Sequence, residues 1–329
     1  MSRQEARHRA AELSALGRKM FFDKSLSGSG KMACSSCHDP AFAYGPPPGL
    51  TPGKRAVPSL RYLQAIPQFT EHYFDSEETG DDSVDNGPTG GLTWDGRVDR
   101  GRDQARIPLL SPDEMGNASP EALVARMRKA GYRSISFDQV LEALETFEQD
   151  PHEFYPYSSK FDRGTLTAQE SRGLSLFRDP ATGNCSVCHT SERATNGSLP
   201  QFTDYGFAAL GLPRNAPPGY LDLGLCGPVR MDLQAHKEYC GMFITPTLRN
   251  VALRYTFFHN GAFSSLRDAV GFYAKRDQYT PELRDNIDGS KTSLTEGEID
   301  DIVAFLQTLT DGYEAGPGYS LKKRVVRGL

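Results

Sequence analysis

The stretch CSSCH at residues 34–38 returns as CSVCH at residues 185–189. Each pentapeptide sets two thiols two residues apart with a histidine directly after the second, and together they take four of only six cysteines in the chain. A structural zinc site would bring two C-x-x-C pairs within about 15–20 residues of each other, but these pairs lie in opposite halves of the 329 residues. A thioredoxin-like redox pair expects a βαβ setting, whereas the flanks here are helical in character, Gly-rich and poor in β-branched runs. Neither reading uses the histidine.

Covalent haem c attachment uses all five positions. Both thiols add to the porphyrin vinyl groups, and the adjacent histidine is held under the iron. Two haems are therefore expected, on Cys34 and Cys37 and on Cys185 and Cys188, with His38 and His189 as proximal ligands. Maturation of this kind occurs in an oxidising compartment, where the two remaining thiols, Cys226 and Cys240, are expected to pair as a disulfide. Of the seven histidines, His8, His152 and His236 read as surface residues, His72 as part of a charged loop, and His259 in FFHNG as a hydrogen-bonding core residue.

The rest of the composition is that of a globular protein: 38% hydrophobic and 24% charged residues, enough for two cored domains. Net charge is -5, and the acidic stretch DSEETGDDSVD (75–85) stands apart from the basic LKKRVVRGL (321–329), so there is no coherent basic face for nucleic acid. No apolar run approaches the ~20 residues of a membrane span. The opening MSRQEARHRAAELSALGRKM lacks the apolar core of a signal peptide, so the periplasmic location implied by haem attachment requires an export signal that this stretch does not contain. It reads instead as an amphipathic helix with Ala10, Leu13, Leu16 and Met20 on one face.

The chain also matches itself. Gly17, Phe21 and Asp23 before the first motif answer Gly173, Phe177 and Asp179 before the second; VPSLR (57–61) answers TPTLR (245–249), and WDG (94–96) answers HNG (259–261). A repeat of domain size indicates duplication, not a solenoid. Each half closes with an amphipathic helix: FDQVLEALETFEQ (137–149) places Val140, Leu141, Leu144 and Phe147 on one face, and TEGEIDDIVAFLQTLT (295–310) does so with Ile299, Ile302, Val303, Leu306 and Leu309 behind a Thr295/Glu298 capping box. The expected fold is mainly α, with two cytochrome c-like haem domains, 1–158 and 159–329, joined through 155–165.

Without any gap after the two glycines, Arg102 and Asp103 fall on Arg267 and Asp268, and Pro108 falls on Tyr273. This is a natural source for the ligand on the far side of the iron. A tyrosine oxygen can coordinate ferric iron, while proline has no side-chain donor. The first haem is thus expected to be open and the second closed by Tyr273. Near the open face lie Gln104 and Glu114; Glu114 could move protons between the two oxygens of a bound peroxide, and a solvated loop carboxylate is its competing reading.

These residues resemble the bacterial di-haem cytochrome c peroxidase and MauG superfamily over nearly the whole chain, in MFFDKSLSGSGKMACSSCHDP, WDGR, the trio Gln104, Pro108 and Glu114, TPTLRNVALRYTFFHNG and EGEIDDIVAFLQTL. The resemblance implies peroxide chemistry at the first haem, electron transfer at the second and Trp94, the sole tryptophan, as the bridge between them. It also implies a calcium ion between the domains, held by an asparagine and backbone carbonyls; Ile244 and Pro246 match the carbonyls, but Tyr62 stands where the asparagine is expected.

Two departures select the MauG-like branch. Conventional members carry methionine at the place of Tyr273, and often a histidine between the first motif and the first PSL, whereas residues 39–57 contain none. The implied activity is a peroxidase that holds two oxidising equivalents, shared by both haems in a high-valent state, and oxidises a partner protein at long range. A conventional peroxidase drawing electrons from a small cytochrome or cupredoxin is the second reading, and a di-haem electron carrier the third. Fourteen tyrosines leave the surface exit undefined.

Overall fold

A computed structural model describes residues 2–50, 53–74, 85–194, 197–289 and 292–312. All but the last residue of the acidic stretch 75–85, and the whole basic tail, lie outside them.

Helices dominate, as expected. The first half holds α1 (Arg3–Phe21), α2 (Gly101–Leu110), α3 (Pro120–Lys129), α4 (Phe137–Glu148) and the single turn α5 (Pro151–Phe154). The second holds α6 (Ala168–Arg178), α7 (Leu266–Lys275) and α8 (Glu296–Gln307). Two-residue strands β1 (Phe207–Ala208) and β2 (Phe243–Ile244) pair antiparallel, with Phe207 opposite Ile244. Side-chain caps start the long helices: Ser2 with Glu5, Ser136 with Gln139, Thr167 with Glu170 and Thr295 with Glu298 form capping boxes that satisfy otherwise orphaned N–H groups.

The duplication is visible in the packing. α1 lies on α4 and α4 on α2, and in the second half α6 lies on α8 and α8 on α7. The repeat glycines permit this. A Cβ on Gly17 would collide with the Ala143 carbonyl, and one on Gly173 with the Asp301 carbonyl. Beside those crossings Phe21 meets Phe147 edge-on at 5.4 Å and Phe177 meets Phe305 at 5.2 Å. Each half therefore has its own core, one including Met20, Phe21, Leu144 and Phe147, the other Phe177, Phe202, Ile302 and Phe305.

The sequence periodicity misplaces some positions on these faces. In α1 Ala10 is exposed and Leu13 and Leu16 are half-buried, while Gly17, Met20 and Phe21 are buried, because the approach to α4 is tightest at Gly17, whereas the earlier turns meet it through the exposed Arg9–Glu142 pair. In α8 Phe305 enters the core and Val303 sits at its margin, since the crossing at Gly173 turns Phe305 inward.

Repeat-related residues also tie the halves together. Tyr62 after the first PSLR and Asn250 after PTLR share a left-handed backbone, at φ 65° and 62°. Both converge on Asp311: Tyr62 donates its hydroxyl at 2.8 Å and Asn250 its Nδ2 at 2.8 Å, and Arg61 adds an ion pair at 2.9 Å. Among the described residues no helix is long and apolar enough to cross a membrane.

Candidate functional site

Each C-x-x-C-H begins in a single 3-10 turn, Cys34–Ser36 and Cys185–Val187. In both, the histidine N–H donates to the carbonyl of the first cysteine at 2.9 Å, which fixes where the ring leaves the backbone. His38 Nδ1 then hydrogen-bonds the Tyr44 carbonyl at 3.0 Å, and His189 Nδ1 the Phe202 carbonyl at 2.8 Å. Burial pushes both imidazoles down to about 4, so they are neutral. With Nδ1 donating, Nε2 keeps its lone pair, the state required of a metal ligand whose orientation is set from behind.

Sequence reading missed Tyr44 and Phe202. Both have a left-handed backbone, at φ 56° and 55°, a rare conformation for bulky residues. Carbonyl acceptors leave no side-chain signature, and only the doubled geometry exposes them.

The four motif thiols are unpaired with one another, and burial pushes Cys34, Cys185 and Cys188 up to about 12. All four, with both histidines, line one cavity of about 1130 Å³ that spans the two halves, larger than the ~300–1,000 Å³ of an ordinary small-ligand site. Two thiol pairs, two neutral imidazoles and a mainly apolar wall are the donor set and the space that two covalent haems require, so the residues present fit that group.

The wall opposite the motifs differs between the halves. Gln104 and Pro108 share one face of α2, and Glu114 follows on the turn 112–115; all three line the cavity, Glu114 with an exposed side chain. Tyr273 lines it from α7, with Phe258 and Phe272 ring centroids at 6.0 and 5.6 Å, and burial pushes its phenol up. Arg102 of α2 pairs with Asp138, and its repeat partner Arg267 pairs with Glu296 and Asp300, which holds the two wall helices in corresponding places.

Trp94 occupies the seam, in a small cluster with Ala56, Phe243 and Ile244. Its Nε1 donates to the Ala56 carbonyl at 2.8 Å, and its own carbonyl accepts from the Ile244 N–H at 3.1 Å. His259 lies flat on Phe243, centroids 3.4 Å apart, with its ring 6.5 Å from Trp94. Its ring is thus held by stacking, where the sequence suggested a hydrogen bond. The neighbouring Asp95 is buried and bonded by Arg55 at 2.7 Å and Arg97 at 2.8 Å; Arg55 also reaches Asp222 at 2.6 Å. Of the four charged residues Arg55, Asp95, Arg97 and Asp222, only Asp95 and Arg97 lie in a motif, WDGR, that the sequence singles out.

Cys226 and Cys240 form the expected disulfide, Cα atoms 5.0 Å apart. The loop it closes sends Arg230 over the Phe69 ring and onto the Asp95 carbonyl at 2.8 Å. Ile244 and Pro246 line the cavity. Tyr62, however, spends its phenol on Asp311, and no group of three or more His, Cys, Asp or Glu among the described residues is gathered for a metal ion. His8, His72 and His152 are exposed and His236 is half-buried against Tyr239.

The family profile "Di-haem cytochrome c peroxidase" matches residues 11–171, and the profile "Cytochrome c" matches residues 171–310. The methylamine utilization protein MauG of Paracoccus denitrificans is 30% identical, across 94% of this chain and 91% of that protein. The cytochrome c551 peroxidase of Nitrosomonas europaea is 26% identical, across 91% of this chain and 80% of its own. Among solved structures, the diheme peroxidase BthA from Burkholderia thailandensis superposes with a TM-score of 0.77 at 33% identity, covering 92% of this chain and 86% of that one.

Proposed function

The chain belongs to the di-haem cytochrome c peroxidase and MauG family, and on that premise we propose that it activates hydrogen peroxide on the His38 side of the cavity and draws the electrons from a partner protein. The observation that carries this is the pairing of Pro108 with Tyr273 at one helical position in two duplicated halves. Haem c on each motif would supply iron that can give electrons to peroxide as its O–O bond is cleaved and be re-reduced by electrons taken from the partner protein.

The chain's own residues divide the work. Pro108 offers no donor atom and leaves the first wall unliganded. Gln104, one turn before it, is an amide placed to orient peroxide, and Glu114 takes the proton from one peroxide oxygen and returns it to the other. On the other wall the Tyr273 oxygen would help hold the haem of the His189 side, giving up its proton on binding and so favouring the oxidised state of what it binds. Trp94, fixed from both halves, is the aromatic bridge.

The domain limits that go with this reading are 1–158 and 159–329, between the end of α5 and the start of α6. The Cys226–Cys240 disulfide supports a location outside the reducing cytoplasm. A calcium ion held through residue 62 does not fit this chain, because the Tyr62 phenol is committed to Asp311. The partner in this reading is a protein that the enzyme oxidises and modifies; a small cytochrome or a cupredoxin is the donor of the conventional-peroxidase reading.

Rapid mixing of the resting ferric holoprotein with one equivalent of peroxide tests the reading. Reaction without prior reduction, and no steady turnover with a reduced small cytochrome or cupredoxin, is expected. A need for pre-reduction together with rapid turnover on such donors would mark a conventional peroxidase instead.

A further inference from the structure

Four arginines line the cavity. Three are paired with acids: Arg55 with Asp95 and Asp222, Arg97 with Asp95, and Arg249 with Asp162. Arg254 is the exception. Its Nε donates to the Thr256 carbonyl at 3.1 Å and its Nη2 to the Val57 carbonyl at 3.1 Å, and no carboxylate among the described residues pairs with it. Burial pushes its guanidinium down to about 10 with no acid to offset the cost. A half-buried cation that lines a cavity and is held by carbonyls alone is a costly arrangement unless an anion joins it.

Position says which anion. Arg254 belongs to the second half, yet it reaches across to Val57 on the loop of the first half, and its charge bears on His38. A haem attached at Cys34 and Cys37 brings two propionate carboxylates into this cavity, and a guanidinium is the side chain best shaped to grip a carboxylate with two parallel bonds. We propose that Arg254 anchors a propionate of the first-half haem, so that the second half of the chain sets the charge balance of the first-half iron. This rests on reading residues 34–38 as a haem attachment site.

The sign of the effect follows from charge. A cation nearby disfavours the ferric form, which carries one more positive charge than the ferrous form, so its loss lowers the reduction potential. Potentiometric titration of the holoprotein, following each haem by its own absorption, compares the unsubstituted chain with Arg254→Met and Arg254→Lys. In the Met variant the first-half equilibrium should shift at least tenfold toward ferric, about 59 mV for one electron, while the second-half potential stays in place. Arg254→Lys, which keeps the charge without the fork, should recover most of the shift.

Unmoved potentials, or equal shifts at both haems from a general loosening, overturn the assignment. Should the Met variant fail to accumulate, the propionate bending band in resonance Raman spectra decides between the unsubstituted chain and Arg254→Lys: a displaced band supports the anchor and an unchanged one rejects it. The mass of the denatured chain separates the two layers of the argument. A chain without haem on Cys34 and Cys37 removes the premise, whereas a chain with it and an unmoved potential removes only the role of Arg254.

Discussion

Pro108 and Tyr273 are each the eighth residue of a ten-residue helix, α2 and α7, and both line the same cavity. The helices hold corresponding places because each rests on the closing helix of its half. A frame copied in this way makes one side chain responsible for the difference between the two walls. The asymmetry is local in origin.

Tyr273→Phe should therefore change one site only. The phenyl ring keeps the contacts with Phe258 and Phe272 but loses the oxygen. Electron paramagnetic resonance of the ferric holoprotein should lose its low-spin signal, with the high-spin signal of the first site retained. If the low-spin signal persists, the Tyr273 oxygen is not the ligand.

Glu114→Gln keeps the size of the side chain and removes its capacity to carry a proton. Cleavage of peroxide, followed by stopped-flow spectroscopy, should slow by roughly a hundredfold or more, the usual loss on removing a general acid or base. A rate within a factor of about two would return Glu114 to the status of a solvated loop carboxylate.

Gly17→Ala and Gly173→Ala should be costly to similar degrees. Each new methyl group meets a backbone carbonyl of the facing helix, at Ala143 or Asp301, and neither can rotate away. A cost of about 1–3 kcal/mol or more is expected in chemical denaturation. Stability unchanged by either substitution would show that the helix crossings are not as close as described.

Stability should fall in acid, for a reason located at the seam. Burial alone would raise the Asp95 carboxyl, but Arg55 and Arg97 outweigh it and hold it below its usual 3.8; Asp162 is lowered likewise, with Arg249 outweighing its burial. Unfolded chains take up these protons near 3.8 while the folded protein is still ionised, so the contribution is complete above that pH and is lost as pH falls through the lower folded values. The thermal midpoint should be steady from about pH 6 to 5 and drop below about pH 4. At neutral pH, Asp95→Asn should cost about 3–5 kcal/mol by leaving Arg55 and Arg97 without their shared acid; a midpoint indifferent to both acid and this substitution would contradict the pairing.

Much of the site is legible in the sequence because covalent chemistry fixes spacing. Cys34, Cys37 and His38 have no freedom of order, and the gapless run from Arg102 to Pro108 carries directly onto Arg267 to Tyr273. Periodicity was a poorer guide to α1, where the approach to α4 is tightest at Gly17 and Ala10 is left exposed. Least legible are residues acting through the backbone or across the halves. Tyr44 and Phe202 serve by their carbonyls, Arg254 by reaching Val57, and Tyr62 by finding Asp311 far along the chain. No local pattern encodes a partner so distant in sequence.

The convergence of Tyr62 and Asn250 on Asp311 also fixes a sequence in time. Asp311 follows both cysteine pairs in the chain, so the knot that closes the seam cannot be tied before both pairs have emerged. Domains tend to fold from the N-terminus as they appear, and here the first half can assemble its helices around α1 and α4 while its cysteines remain reachable from the side that the second half later covers. Attachment has its opening before the seam closes on Asp311.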